Sequence, residues 1–252
     1  MTCCICAIAK NENNYINDWV NYYLNLGVDS ISIFDNNDVS SEWIGNRIDR
    51  DLLNSRVKII PASNFTAGFQ VKVYTAFYNA AKNTFDWLGF FDIDEFLMLP
   101  KYKTIPELLN TIRKDINVLR LNWQIYGDDG IVNGDISIPI YKRITNKLNH
   151  QYNFHGKCFV RGGLDDVLFT SSHYPLINGQ VPVQCSPSNQ LIGRPTINLG
   201  RIEYNTAYLA HYMTKTWSEF KSQKLGRTDA GFDRTLTIQY YKNINPLTKI
   251  SD

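Results

Sequence analysis

Two apolar periods alternate along roughly the first 125 positions of the chain, one suited to strands and one to helices. The continuous run CCICAIA at residues 3–9 has strand length and predicts a strand covered on both faces. Behind Lys10-Asn11-Glu12, the residues Ile16, Trp19, Val20, Tyr23 and Leu24 share one helical face, and Gly27 stops the helix. A strand at 28–34 ends in the turn-forming Asp35-Asn36-Asn37-Asp38. A third strand is expected at 57–60, a helix at about 69–82, and a fully buried strand at 87–91 that runs into Asp92-Ile93-Asp94-Glu95. Such alternation predicts an α/β sheet that places ligands beyond the carboxyl ends of its strands.

After a strand at 118–121 the alternation stops. Residues 123–195 are rich in aromatics, Gly and Asp, a composition expected of substrate-specific loops. Ala210-His211-Tyr212 closes a short apolar run, a helix capped by Thr216 or Ser218 is expected over 216–225, and residues 232–250 are basic and aromatic. No repeat or linker divides the chain. The expected organisation is a nucleotide-binding half at 1–122, an acceptor-binding half at 123–228 and an extension at 229–252.

Composition narrows the function. The 252 residues carry 26 Lys and Arg against 24 Asp and Glu, a net charge of +2 that argues against a nucleic-acid partner bound through a broad basic face. No apolar run reaches the roughly 18 to 20 residues that span a bilayer, and no basic leader is evident, so a cytoplasmic location is expected. Cys3, Cys4, Cys6, Cys158 and Cys185 are odd in number and lack disulfide or zinc spacing. Buried thiols in a reducing compartment are expected.

The sharpest chemical signal is Asp92-x-Asp94. At the end of a buried strand, period two would turn both carboxylates to one side, where their oxygens suit a hard divalent ion shared with a substrate diphosphate. With 18 aspartates a D-x-D arises by chance about once, and Asp49-Arg50-Asp51 is such a case, read as a solvated helix-like face.

Several separated blocks together resemble the glycosyltransferase family 2-like and family 92 group: Lys10-Asn11-Glu12 with Trp19 and Gly27-Val28-Asp29, Phe34-Asp35-Asn36, Gln70, Trp87, and Phe91-Asp92-Ile93-Asp94-Glu95-Phe96. Later blocks are similar too: Trp123 with Gly127 and Gly130, Lys157 with Arg161, His173, and His211-Tyr212 followed by Lys215, Glu219-Phe220, Lys224 and Arg227. The resemblance covers roughly residues 4–228. It implies a single-domain GT-A fold, a Rossmann-like α/β/α sandwich with a mixed central sheet. It also implies transfer of a hexose, often galactose, from a UDP donor with inversion, with manganese or magnesium bridging the diphosphate. Ala9, Lys10, Asn11 and Glu12 then match the first nucleotide loop, Asp35 the nucleoside contact, and Gln70 a further donor-side block. Asp92 and Asp94 match the acidic motif, and His211 the histidine that completes the metal site.

Under that reading Asp94 is the first metal ligand, and Asp92 is the second or a ribose contact. Lys215, Lys221, Lys224 and Arg227 form a basic cluster for the diphosphate, with Lys215 foremost and Lys221 and Lys224 also readable as a solvated helix face. Lys157 and Arg161 could serve the same anion. Inversion needs a base for the acceptor hydroxyl. Asp128 and Asp129, between Gly127 and Gly130, are the candidates, with Glu95 the rival. Trp123, Tyr126 and His155 could stack on sugars. Tyr240-Tyr241-Lys242 could rest on a membrane surface, which would suit a lipid-linked acceptor in surface polysaccharide synthesis. Two other classes compete: a catalytically silent sugar-nucleotide or glycan-binding module, and a sugar-1-phosphate nucleotidyltransferase, which the lack of an early Gly-rich loop disfavours.

Overall fold

A computed structural model describes residues 1–38, 41–63, 68–193, 197–226 and 235–250. Arg227, Pro195 at the end of the irregular region, and Phe232 at the start of the basic and aromatic segment lie outside the described residues. The first half alternates as its pattern predicts: β1 (Cys3–Ala9), α1 (Ile16–Asn25), β2 (Ser30–Asp35), β3 (Val57–Pro61), α2 (Phe69–Ala81), β4 (Trp87–Phe90), β5 (Glu95–Met98) and α3 (Ile105–Asn110). The second half supplies β6 (Val118–Gly127), α4 (Ile140–Arg143), β7 (Asn146–Lys147), β8 (Gly156–Arg161), β9 (Val167–Ser171), β10 (Tyr174–Ile177), β11 (Gln184–Cys185), β12 (Tyr208–His211), α5 (Trp217–Gln223) and α6 (Ile238–Ile244).

Eight strands form one mixed sheet in the order β3-β2-β1-β4-β8-β6-β12-β5, with β7 and β11 also paired to β6. The side-chain alternation of β1 explains the layers. Cys3, Ile5, Ala7 and Ala9 join the core under Trp19, Val20 and Tyr23 of α1. Cys6 joins a second core on the other face, with Tyr74 and Tyr78 of α2 and Phe169 of β9. The result is a single-domain Rossmann-like sandwich. Trp19 is fully buried and its indole donates to the Glu95 carbonyl at 3.0 Å, so its truncation would cost about 3–5 kcal/mol. All five cysteines are buried free thiols.

Three expectations are corrected. The strand placed at 118–121 continues to Gly127, and all ten of its residues are buried. Asn122 and Gln124 break the apolar pattern there. Both are satisfied locally, Asn122 accepting from the Glu203 amide at 2.9 Å and Gln124 donating to the Leu148 carbonyl at 2.9 Å. Asp92 and Asp94 stand in a turn after β4, closed by the Glu95 amide on the Asp92 carbonyl at 3.1 Å, so the turn and not strand period places them. Asp49-Arg50-Asp51 is solvated as expected but forms a turn, not a helix.

The pairing also sets the edge at which the candidate residues meet. Strands β1, β2, β3, β4, β6 and β12 run one way, β5 and β8 the other. The carboxyl ends of the first set therefore lie beside the amino ends of the second. Close backbone packing helps at Gly156, where a Cβ would stand 1.8 Å from the Leu121 carbonyl oxygen. Lys157 follows directly.

Candidate active site

At this edge the sheet gathers residues from distant parts of the chain. Ala9 ends β1, Asp35 ends β2, the Asp92–Glu95 turn follows β4, Lys157 lies near the start of β8, and His211 ends β12 opposite Glu95. Lys215 and Lys224 arrive from the segment that follows, where Thr216 and Glu219 form a capping box that starts α5.

The loops expected to meet the nucleotide hold one another. Asp35 accepts from the amides of Asn37 and Ile44, each at 3.1 Å, and Asn37 Oδ1 accepts from the Asn11 amide at 2.7 Å. Asn11 adopts φ of 60°, a left-handed backbone that Asn tolerates in turns. Lys10 reaches Asp38 at 3.5 Å.

The acidic motif divides into two differently partnered carboxylates. Asp92 accepts from Gln70 Nε2 at 2.9 Å through Oδ1 and pairs with Lys157 Nζ at 2.8 Å through Oδ2. Burial pulls the Lys157 ammonium down, but the carboxylates of Asp92 and Glu95 outweigh it and leave its pKa raised. Asp94 is buried, with Lys224 Nζ at 2.6 Å from Oδ2 and His211 Nε2 at 3.5 Å from Oδ1. Burial alone would raise its pKa. Lys224, then His211, reverse that and hold it well below the usual carboxylate range.

Glu95 differs from both. Its side chain is fully buried, its Oε2 accepts from the Asp92 amide at 3.0 Å, and its Oε1 has no hydrogen-bond partner among the described residues. Burial drives its pKa well up against the pull of Lys157, and the neighbouring Asp92 adds to the rise.

Trp123 backs the histidines, its ring centroid 4.4 Å from His211, 5.3 Å from His173 and 5.8 Å from His155. His173 donates from Nδ1 to the Gly156 carbonyl at 2.7 Å, and burial, with Lys157 second, pushes its pKa down to about 3. Trp123 and Tyr126 are buried, whereas His155 is half-buried. Of the expected stacking rings, His155 is thus the more open.

The remaining candidates differ in burial and partners. Asp128 is buried and accepts from Tyr241 Oη and, at 2.6 and 2.7 Å, from Thr248 Oγ1. Asp129 is exposed in a turn with φ of 57° and accepts from the Thr145 amide at 3.3 Å. Arg161 ends β8 at the opposite edge, where it lies over Trp87 at 4.3 Å. Lys221 is solvated and Lys224 is not. Lys224 stands at the C-terminal end of α5, where its side chain turns inward, and helical spacing from Lys221 did not separate the two. Lys215 Nζ meets Glu12 Oε2 at 2.6 Å and lies 3.7 Å from the Tyr15 ring centroid, a partnership that spacing did not reveal.

The fit of a divalent ion can be judged from this donor set. Two ligands at about 2.1 Å from an octahedral ion stand ~3.0 Å apart in cis, so a separation of 3.5 Å between Asp94 Oδ1 and His211 Nε2 fits a pair that shares an ion. No group of three or more His, Cys, Asp or Glu that could hold a metal is gathered among the described residues. Asp92 is not brought into that pair, its oxygens being held by Gln70 and Lys157.

The membrane expectation meets a simple observation. Tyr241 and Ile244 of α6 are buried, and Tyr241 packs on Trp217 and Phe220 of α5. No described helix is long and apolar enough to cross a bilayer.

Residues 76–245 match the model of glycosyltransferase family 92. A family 92 protein from Oryza sativa subsp. japonica is 30% identical over 131 residues, covering 50% of this chain and 22% of that protein. One from Ricinus communis is 31% identical over 139 residues, covering 51% and 23%, and one from Arabidopsis thaliana is 23% identical over 133 residues, covering 50% and 21%. The alignments therefore span under a quarter of each relative. Because the family match takes in well over half of the sequence, the chain belongs to glycosyltransferase family 92.

Proposed function

We propose that this chain transfers a hexose from a nucleotide-sugar donor, with UDP-galactose the first donor to test, to a glycan or lipid-linked acceptor. The observation that carries the reading is the buried Asp94 carboxylate where β4, β12 and the segment behind β12 converge, with His211 and Lys224 against its two oxygens. That is the edge at which α/β sheets bind nucleotides. Asp94 and His211 would hold manganese or magnesium, which when bound supplies positive charge for the leaving diphosphate.

The protein's own groups have distinct tasks. The loop of Lys10, Asn11 and Glu12, fixed through Asn37 to Asp35, shapes the nucleoside side. Lys157, Lys215 and Lys224 offer ammonium groups to the phosphates from buried mounts that need little reorganisation. Gln70 and Tyr74 orient Asp92. Asp129 is the carboxylate we assign as base for inversion, because it is exposed, whereas Asp128 is engaged by Tyr241 and Thr248 and Glu95 is fully buried.

Turnover tests the reading. Incubation with UDP-hexoses, manganese and an acceptor mixture is expected to release UDP, with Asp94→Asn slower by about 100-fold or more. UDP release from none of the donors, or equal rates for the variant, would overturn it.

A further inference from the structure

Three carboxylates at the edge each hold one buried ammonium. Glu12 pairs with Lys215 at 2.6 Å, Asp92 with Lys157 at 2.8 Å, and Asp94 with Lys224 at 2.6 Å. The three lysine side chains are 1%, 1% and 8% exposed, so the charges cancel pair by pair inside the protein and leave little excess negative charge to attract a cation.

Lys224 is the pair that matters for an ion. Its Nζ also donates to the Met213 carbonyl at 2.7 Å, which anchors it beside the carboxylate. Among the described residues, Asp94 is its one carboxylate partner. A divalent ion taken up by Asp94 and His211 would sit against this ammonium and draw away its counter-charge. Both effects oppose binding in a buried site. A diphosphate relieves both at once, because its oxygens can accept from Lys224 and face the ion.

We infer that Lys224 makes the divalent ion and the nucleotide diphosphate bind as a pair, each weakly alone and each strengthening the other. The inference rests on the donor-site reading above. Lys224 is on this account a binding residue that contacts the diphosphate and so links two ligands, and the coupling is reciprocal. It also predicts that removing the ammonium helps the ion when the nucleotide is absent, the opposite of what loss of a merely structural contact would do.

The test is a manganese titration followed by the electron paramagnetic resonance of the free ion. It uses the full chain as wild type, Lys224→Met and Lys224→Arg, with and without saturating UDP, with circular dichroism to verify folding. Wild type is expected to bind manganese weakly alone and at least about tenfold more tightly with UDP. Lys224→Met is expected to bind manganese alone about tenfold more tightly than wild type and to lose most of the coupling, while Lys224→Arg keeps it. UDP complexes manganese in solution equally in every sample, so differences between proteins report the site. Equal manganese affinity in wild type and Lys224→Met, with UDP binding intact, overturns the inference and leaves the donor-site reading standing. Should Lys224→Met fail to fold, wild-type manganese binding as tight without UDP as with it overturns the inference on its own. Absence of UDP binding to wild type at every manganese concentration overturns both.

Discussion

Glu95 shows how little a residue's type says about its role until its surroundings are known. It is next to Asp94 in sequence and on that ground is a rival for the catalytic base. Its carboxyl is fully buried, which raises its pKa, and its Oε2 accepts from the Asp92 amide that shapes the acidic turn. Buried behind the acidic turn, it offers no open face to an acceptor hydroxyl. Glu95→Gln preserves the accepting oxygen and is expected to leave kcat within about threefold of wild type, whereas loss of a true general base costs about 10²–10⁴-fold. Steady-state rates of the two proteins decide it. The acidic motif was legible in the sequence because an apolar strand ended in carboxylates, but the turn that holds it was not. The partners were not, since Lys157 and Lys224 lie 65 and 130 positions from Asp92 and Asp94 and only the sheet brings them close.

At the scale of elements, α5 is held by one carboxylate. Glu219 caps the helix through Thr216, accepts from Tyr15 Oη at 2.6 Å, and receives Arg143 through a bidentate contact with one N–O distance of 2.9 Å. Burial opposes its ionisation, but Arg143, Thr216 and Tyr15 prevail and lower its pKa to about 2. The folded pKa lies below the unfolded value of about 4.3, so the stabilisation is present above that value and is lost as pH falls toward 2. Thermal melts across that window are expected to decline less steeply for Glu219→Gln than for wild type. Parallel declines would contradict the assignment. Arg143→Ala, which strands the buried carboxylate, is expected to destabilise by about 3–5 kcal/mol in urea unfolding. The sequence narrowed the cap to Thr216 or Ser218, and the capping box with Glu219 decides for Thr216. The length of β6 was not readable from the chain. A central strand with buried, satisfied amides at Asn122 and Gln124 looks polar in sequence, and apolar patterning ends where hydrogen bonding takes over.

On the scale of the whole molecule, the C-terminal segment is part of the domain. Asn245 accepts from the Asp128 amide at 2.9 Å, and Tyr241 and Thr248 donate to the Asp128 carboxylate, tying α6 to the end of β6. Tyr241→Phe leaves a buried acceptor with one donor fewer and is expected to cost about 1–3 kcal/mol, with faster amide exchange concentrated in 238–250. Unchanged exchange there would show the tie to be dispensable. The overall layering was legible from periodicity alone, since β1 had to be covered on both faces. Closing the sheet's far half was not, because β8, β12 and β5 alternate in direction and connect through loops without regular patterning. The central claim is that Asp94 anchors a nucleotide diphosphate together with a divalent ion at this edge. Isothermal titration of UDP into wild type and Asp94→Ala, each with manganese and with chelator, tests it most directly. The account predicts manganese-dependent binding to wild type that disappears in the variant. Equal binding to the two proteins, or no binding to either, would contradict it.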